Sequence, residues 1–188
     1  MAPESTSGPG SETISVSAIS AADLDAWDAY VDGHQDATFF HRGGWLRVIR
    51  DSFGHKPHYL VARDSADSIC GVLPLFEVSS MLFGHFLVSV PFCVYGGAVG
   101  DSADVVRLLE DRAAALATEL GVDYLELRNR KATRDDWPIK SIHATFVREI
   151  AADDEAILLS IKNKQRAVIR KGIRNEFEAA VQNEVSEF

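Results

Sequence analysis

The sequence predicts a mixed α+β domain whose sheet is mostly antiparallel and flanked by helices. Three observations carry that. Short apolar runs in the first half of the chain are separated by polar breaks of hairpin length. One long amphipathic stretch, residues 103–120, follows those runs instead of alternating with them. Further strand-like runs come after it. A doubly wound parallel sheet would alternate strand and helix from the start, and no internal repeat is present.

The elements follow in order. Residues 13–19 alternate Ile14, Val16 and Ala18 with Ser and Thr, the pattern of a half-buried strand. Ser20 opens a helix, with Asp23 three residues on as the short arm of a capping box. Leu24, Trp27 and Val31 give that helix its apolar face. Trp45, Val48, Ile49 and Phe53 mark a second short helix, closed by Gly54. Residues 58–63 and 69–78 read as strands joined through Ala66 and Asp67, and residues 82–90 as another. An irregular loop, 91–100, leads into the long helix. Val106, Leu109, Ala113, Leu116 and Leu120 face inward there, and Gly121 stops it. Strands at 122–129 and 142–150 follow, then a helix at 155–161 and a basic helix. A last helical segment is expected at 176–185.

Composition bounds the function classes. With 188 residues the chain builds one core without staples, and its 46% apolar and 25% charged content is that of a globular protein. Cys70 and Cys93 sit inside apolar runs and form no disulfide framework, which points to a reducing, cytoplasmic setting. Residues 1–12, rich in Ser, Pro and Gly, read as a disordered tail without the pattern of a secretory signal. The most apolar segment, 81–94, is broken by His85 and Pro91 and is too short to span a bilayer.

Net charge is −9, yet residues 160–174 carry six basic residues and no acid. At helical spacing Lys162, Arg166, Arg170 and Arg174 fall in one stripe. Like charges at that spacing weaken a helix by a few tenths of a kcal/mol per pair, roughly. An anionic ligand would offset the repulsion, and a plain solvated face is the other reading.

Several segments, taken together and in order, resemble a known family. They are Ala37-Thr38-Phe39-Phe40-His41 with Trp45, Gly71-Val72-Leu73-Pro74-Leu75, and Ser89-Val90-Pro91-Phe92-Cys93-Val94-Tyr95-Gly96-Gly97. Tyr124-Leu125-Glu126-Leu127-Arg128 and Lys164-Gln165-Arg166-Ala167-Val168-Ile169-Arg170-Lys171-Gly172 complete the set. The chain resembles the N-terminal half of FemAB-family proteins, nearest to the FemAB-like group associated with exosortase/PEP-CTERM systems. The resemblance implies a GNAT-like acyltransferase fold, paired in the family with a second such half that would follow Phe188. It implies acyl or aminoacyl transfer to an amine, or less readily a hydroxyl, of a cell-envelope or exopolysaccharide precursor. It implies no tightly bound cofactor, an acyl donor that is aminoacyl-tRNA or acyl-CoA, and hence a possible tRNA partner. On this reading residues 13–160 are the GNAT-like domain and 161–188 a basic segment leading to the second half.

The candidate site residues are these. Lys162, Arg166, Arg170 and Lys171 would bind anions, either tRNA phosphates or an anionic acceptor. Pro91, Tyr95 and Gly96 would shape a cleft wall. The glycine-rich loop leads into a helix start where Asp101 and Asp104 disfavour phosphate. Glu126 and Arg128 share one face of a strand, either as a structural ion pair or as a polar site. In the second case Glu126 serves the substrate amine as acceptor or general base, and Arg128 clamps a carboxylate. His41 fits a cap position. His55 and His58 lack the companions a metal site needs, so no metal is expected. Cys93 reads as a small buried hydrophobe, and the Gln/Arg-x-x-Gly-x-Gly/Ala pyrophosphate signature of acyl-CoA enzymes is absent. A different class of function stays open: a non-catalytic module whose basic helix grips RNA or an acidic partner. So does an inactive remnant with an exposed apolar face.

Overall fold

The computed structural model describes residues 13–178, except 83, 141 and 143. The expected tail at 1–12 and all but the first residues of the expected 176–185 helix lie outside the described residues. The chain divides into two compact units, the first ending at Ile139 and the second beginning at Lys140. The boundary expected at 160 therefore falls inside the second unit.

The first unit is mixed α/β, with five antiparallel strand pairings and one parallel. Its strands are β1 (Ser15–Ala18), β2 (Lys56–Pro57), β3 (Leu60–Arg63), β4 (Ile69–Leu73), β5 (Phe76–Ser80), β6 (Gly84–Val88), β7 (Val99–Gly100) and β8 (Tyr124–Glu126). They form two four-stranded sheets, ordered β1-β3-β4-β7 and β2-β5-β6-β8. The helices are α1 (Leu24–Gly33), α2 (Gly44–Phe53) and α3 (Ala103–Leu120). The run expected as one strand over 69–78 is two strands in different sheets. Pro74 sits at the break, where its missing N–H cannot continue a ladder.

The first sheet is covered on both faces. Leu60, Ala62 and Leu73 pack with Val105, Leu109, Ala113 and Leu116 of α3. Tyr59, Val61 and Val72 pack with Trp27 and Val31 of α1 and Ile49 of α2. That is why β3 reads as a continuous apolar run and not as an alternation. Gly71 is required by this layering, because a Cβ there would stand 2.5 Å from Val105 Cγ1. Each fully buried aliphatic side chain contributes about 1.5–3 kcal/mol.

The helix ends follow local chemistry. The Ser20 N–H donates to Asp23 Oδ2 at 2.6 Å, the backward arm of the expected box, while Ser20 Oγ also donates to that oxygen at 2.8 Å. Residues 21–23 form a 3₁₀ turn before α1 begins. Asp23 also takes a 2.7 Å bond from Arg63 Nη2, tying the helix start to β3. Gly54 and Gly121 close α2 and α3 in the left-handed region, at φ 71° and 64°. Val48 and Phe53, expected on the inner face of α2, are 47% and 53% exposed, so Ile49 with half-buried Trp45 and Leu46 makes that contact.

The second unit has no strand at 142–150 among the described residues; Phe146, Val147 and Ile150 are 95%, 88% and 81% exposed. Alternation alone does not make a strand when no neighbour supplies a ladder. Its helices are α4 (Asp154–Ser160) and α5 (Asn163–Arg174). Among the described residues no helix is long and apolar enough to cross a membrane.

Trp27 is fully buried and its Nε1–H donates to His41 O at 2.6 Å. Trp27→Phe should keep most of the packing but leave that carbonyl without its donor. A loss of about 1–3 kcal/mol is expected in urea unfolding, with the denaturant slope unchanged.

Candidate functional site

The site forms at the carboxyl ends of the one parallel pair, β6 and β8, which α3 connects. Open α/β sheets place ligands at such strand ends. Ser89, fully buried, stitches the two ends together: its N–H donates to Glu126 O at 3.0 Å and its Oγ accepts from the Arg128 N–H at 2.8 Å. The chain then folds back in a loop whose Val90 and Phe92 have φ of 36° and 67°. Such angles cost non-glycine residues on the order of 1–3 kcal/mol each. The Arg128 guanidinium holds the loop, donating to Cys93 O at 2.6 Å, Val90 O at 3.3 Å and Glu126 Oε1 at 2.9 Å.

Beyond the loop lies a cavity of about 140 Å³. Backbone from Gly97 to Gly100 and the side chain of His41 form one wall; Arg128, Asn129, Arg130, Lys131 and Thr133 form the other. Gly97 is the residue that fits here, since a Cβ would land on Asn129 Oδ1. Behind Asn129 and Thr133 stands Glu110 of α3, with no exposed surface. Its Oε1 accepts from Asn129 Nδ2 at 3.0 Å and from Thr133 Oγ1 at 2.5 Å, and its Oε2 has no partner. Arg134 secures this segment, bonded to Asp111 of α3 and to Asp136 at 3.0 Å, with its guanidinium 4.5 Å from the Trp137 ring centre.

His41 joins the two sides of the core to the cavity. Its Nδ1 accepts from the Thr38 N–H at 3.0 Å, which leaves the proton on Nε2 to donate to Gly97 O at 3.0 Å. Burial holds the imidazole below its ordinary 6.5, outweighing the two backbone bonds.

The expected site residues fall in several places. Arg128 lines the cavity and is paired with Glu126, which does not line it. Pro91, Tyr95 and Gly96 lie just before the cavity wall, not in it: Pro91 and Gly96 are buried, and Tyr95 stacks under Arg130 at 5.9 Å. The cap of α3 is Ser102, whose Oγ accepts from the Val105 N–H at 3.3 Å; Asp101 instead takes a 2.8 Å contact with the Tyr30 hydroxyl. Burial, then Asp101, pushes that phenol well above its ordinary range. Cys93 is buried, and burial raises its thiol, so little thiolate forms.

The basic residues belong to the second unit. Lys162 is the N-cap of α5, with ψ of 141°, and so stands outside the helical stripe. Arg166 turns back and donates to Leu159 O at 3.3 Å and Ile161 O at 2.9 Å, satisfying carbonyls at the end of α4. Arg170 lies 3.5 Å from Glu155, and Lys171 is exposed.

Sequence reading missed Glu110, Asn129, Arg130, Lys131 and Thr133. Two signals were present. Glu110 is four residues after Val106 and three before Ala113, hence on the buried stripe of α3. Arg128-Asn129-Arg130-Lys131 is a polar run directly after a strand. A second polar cluster lies apart from the cavity: Glu77 bonds His58 and His85, both at 2.9 Å, and these two bonds hold its carboxyl down to about 2. Among the described residues no group of three or more His, Cys, Asp or Glu is arranged to hold a metal ion.

No family model matches the chain, and no curated protein matches it. Solved structures that resemble it include the following three. A GNAT family acetyltransferase from Staphylococcus aureus is 11% identical, over 73% of this chain and 98% of its own, with a TM-score of 0.43. A transcriptional regulator from Bacillus halodurans is 11% identical, over 92% and 97%, at 0.43. An aminoglycoside 6'-N-acetyltransferase from Acinetobacter haemolyticus is 14% identical, over 73% and 99%, at 0.44. Likeness at that level carries nothing about chemistry.

Because the folded His41 titrates below 6.5, its neutral form stabilises the fold above about pH 6.5, and that contribution is lost as pH falls through the lower folded value. Chemical unfolding between pH 7 and 5 should show a declining stability. In His41→Gln that part of the decline should disappear.

Proposed function

We propose that the first unit is a GNAT-like acyltransferase domain that moves an acyl group from an anionic carrier to an amine. The observation that carries this reading is one small cavity at the ends of the parallel pair, with three cations on one wall and fixed hydrogen-bonding groups beside them. Arg130 and Lys131, both exposed, attract a phosphate-bearing carrier, and the cavity of about 140 Å³ has room for a small acyl or aminoacyl group. Holding the two reactants together supplies most of what such a transfer needs.

The carrier is acyl-CoA on this reading, one of the two donors, with aminoacyl-tRNA, that the FemAB resemblance implies. The acceptor belongs to a cell-envelope or exopolysaccharide precursor, and a second GNAT-like half acts with the first. The RNA-gripping alternative is less favoured, because Arg166 and Arg170 are engaged within their own unit.

The test is incubation of the full chain with acetyl-CoA and, separately, aminoacyl-tRNA, against amine acceptors that include a peptidoglycan-precursor peptide and an amino sugar. Mass spectrometry reads the products, and calorimetry reads CoA binding. Absence of both transfer and binding would overturn the proposal.

Replacing Arg130 and Lys131 together with Ala should weaken donor binding by about tenfold per lost charged contact. The residual affinity should depend less steeply on salt than that of the parent.

A further inference from the structure

Among the described residues of the first unit, besides aromatic side chains such as Tyr59, the buried polar or charged side chains are His41, Ser89 and Glu110. Hydrogen bonds at the site account for the first two. Glu110 is different. Its position on α3 lies among Val106, Leu109 and Ala113, where an aliphatic residue would pack at no electrostatic cost. Burying a carboxylate there costs several kcal/mol, roughly, unless a cation meets it. Among the described residues Glu110 makes no ion pair, and its Oε2 has no hydrogen-bond partner.

Glu110 meets the cavity through two side chains that line it, Asn129 and Thr133, and of these the Thr133 hydroxyl is the one that can both give and take a proton. Thr133 is exposed and lines the cavity, yet its hydroxyl donates inward to Glu110 Oε1 at 2.5 Å. A threonine hydroxyl has one proton and two acceptor positions. The proton goes to Glu110 and one acceptor position takes the 2.8 Å bond from Asn129 Nδ2. One acceptor position on Thr133 Oγ1 is left for an incoming N–H. Asn129 Nδ2 also lies 3.0 Å from the same Glu110 oxygen, so the amide braces hydroxyl and carboxylate against each other. Arg134, clamped to Asp111 and Asp136, holds the chain beside Thr133 in place.

We propose that Glu110 is the proton acceptor of the acyl transfer, working through Thr133 Oγ1 as a relay from the cavity to the buried carboxylate. The inference rests on the function proposed above. The amine nitrogen forms a C–N bond to the acyl carbon as the bond from that carbon to the carrier sulfur breaks. The amine N–H proton passes to Thr133 Oγ1 while the threonine's own proton passes to Glu110 Oε1. The carrier leaves as a thiolate and takes that proton back along the same path, so an amine and a thioester become an amide and a thiol. Thr133 is the catalytic residue, in contact with the amine; Glu110 acts through it. The other charged and titratable groups lining the cavity are Asp36, His41, Arg128, Arg130 and Lys131.

The test is kcat and KM for acetyl transfer as a function of pH in the full chain and in Glu110→Gln, Thr133→Val and Thr133→Ser, with thermal unfolding of each as a fold control. Glu110→Gln and Thr133→Val should lower kcat by about 10²-fold or more with KM little changed. Thr133→Ser should restore most of the rate. Thr133 is exposed, so its variants report even where Glu110→Gln perturbs folding. A wild-type protein that transfers acetyl groups, with variants matching it in rate and pH profile, overturns the relay and leaves the acyltransferase reading intact. A wild-type protein that binds CoA but transfers nothing overturns the relay, and one that neither transfers nor binds overturns both.

Discussion

The site exists because Arg128 holds residues 89–97 in a shape their own backbone resists. Val90 and Phe92 take left-handed angles that a free chain would leave; two guanidinium bonds fasten the loop to the segment after β8, and a third holds the guanidinium to Glu126. Two of those bonds reach main-chain carbonyls, whose partners cannot be changed by rotating a side chain. Once the loop is fixed, Gly97 O meets His41 and the Gly97 N–H meets Arg128 O, so both sides of the cavity wall are set by one junction. Removing the guanidinium would leave backbone strain without the contacts that offset it.

That junction in turn needs a rigid base. The first sheet is buried on both faces, and α3 packs across one of them with its apolar stripe. The same helix carries Glu110, so the carboxylate beneath the cavity inherits its position from the core and not from a loop. His41 plays the corresponding part on the other side, through Trp27 and the 3₁₀ turn at Phe39–His41. Polar groups at the site are therefore anchored to the two best-packed parts of the unit, which is how a buried network keeps its geometry.

The basic segment shows how far charge pattern alone can lead. Six basic residues within 160–174 were plain in the sequence, and spacing placed four of them in one helical stripe. Spacing does not reveal the bend between α4 and α5, where Ile161 and Lys162 are extended with ψ of 143° and 141°. With that bend, Lys162 becomes a cap and the Arg166 guanidinium satisfies carbonyls at the end of α4. A cation that looked free for a ligand was needed by its own backbone.

Sequence alone determined the elements whose cause is local. The 103–120 helix with its Gly121 stop, the cap residues near Ser20 and the closing glycine of α2 follow from periodicity and from backbone angles that only certain residues adopt easily. The Glu126–Arg128 pair was legible too, because strand geometry puts alternate residues on one face. Tertiary structure decided the rest. The break of 69–78 at Pro74 into two sheets, the absence of a strand at 142–150, and the meeting of residues 41, 97, 110, 129 and 133 depend on partners far away in the chain. A residue's neighbours across a sheet or behind a helix leave no periodic mark on its own stretch of sequence, so the cavity and its buried carboxylate became visible only once the chain had folded.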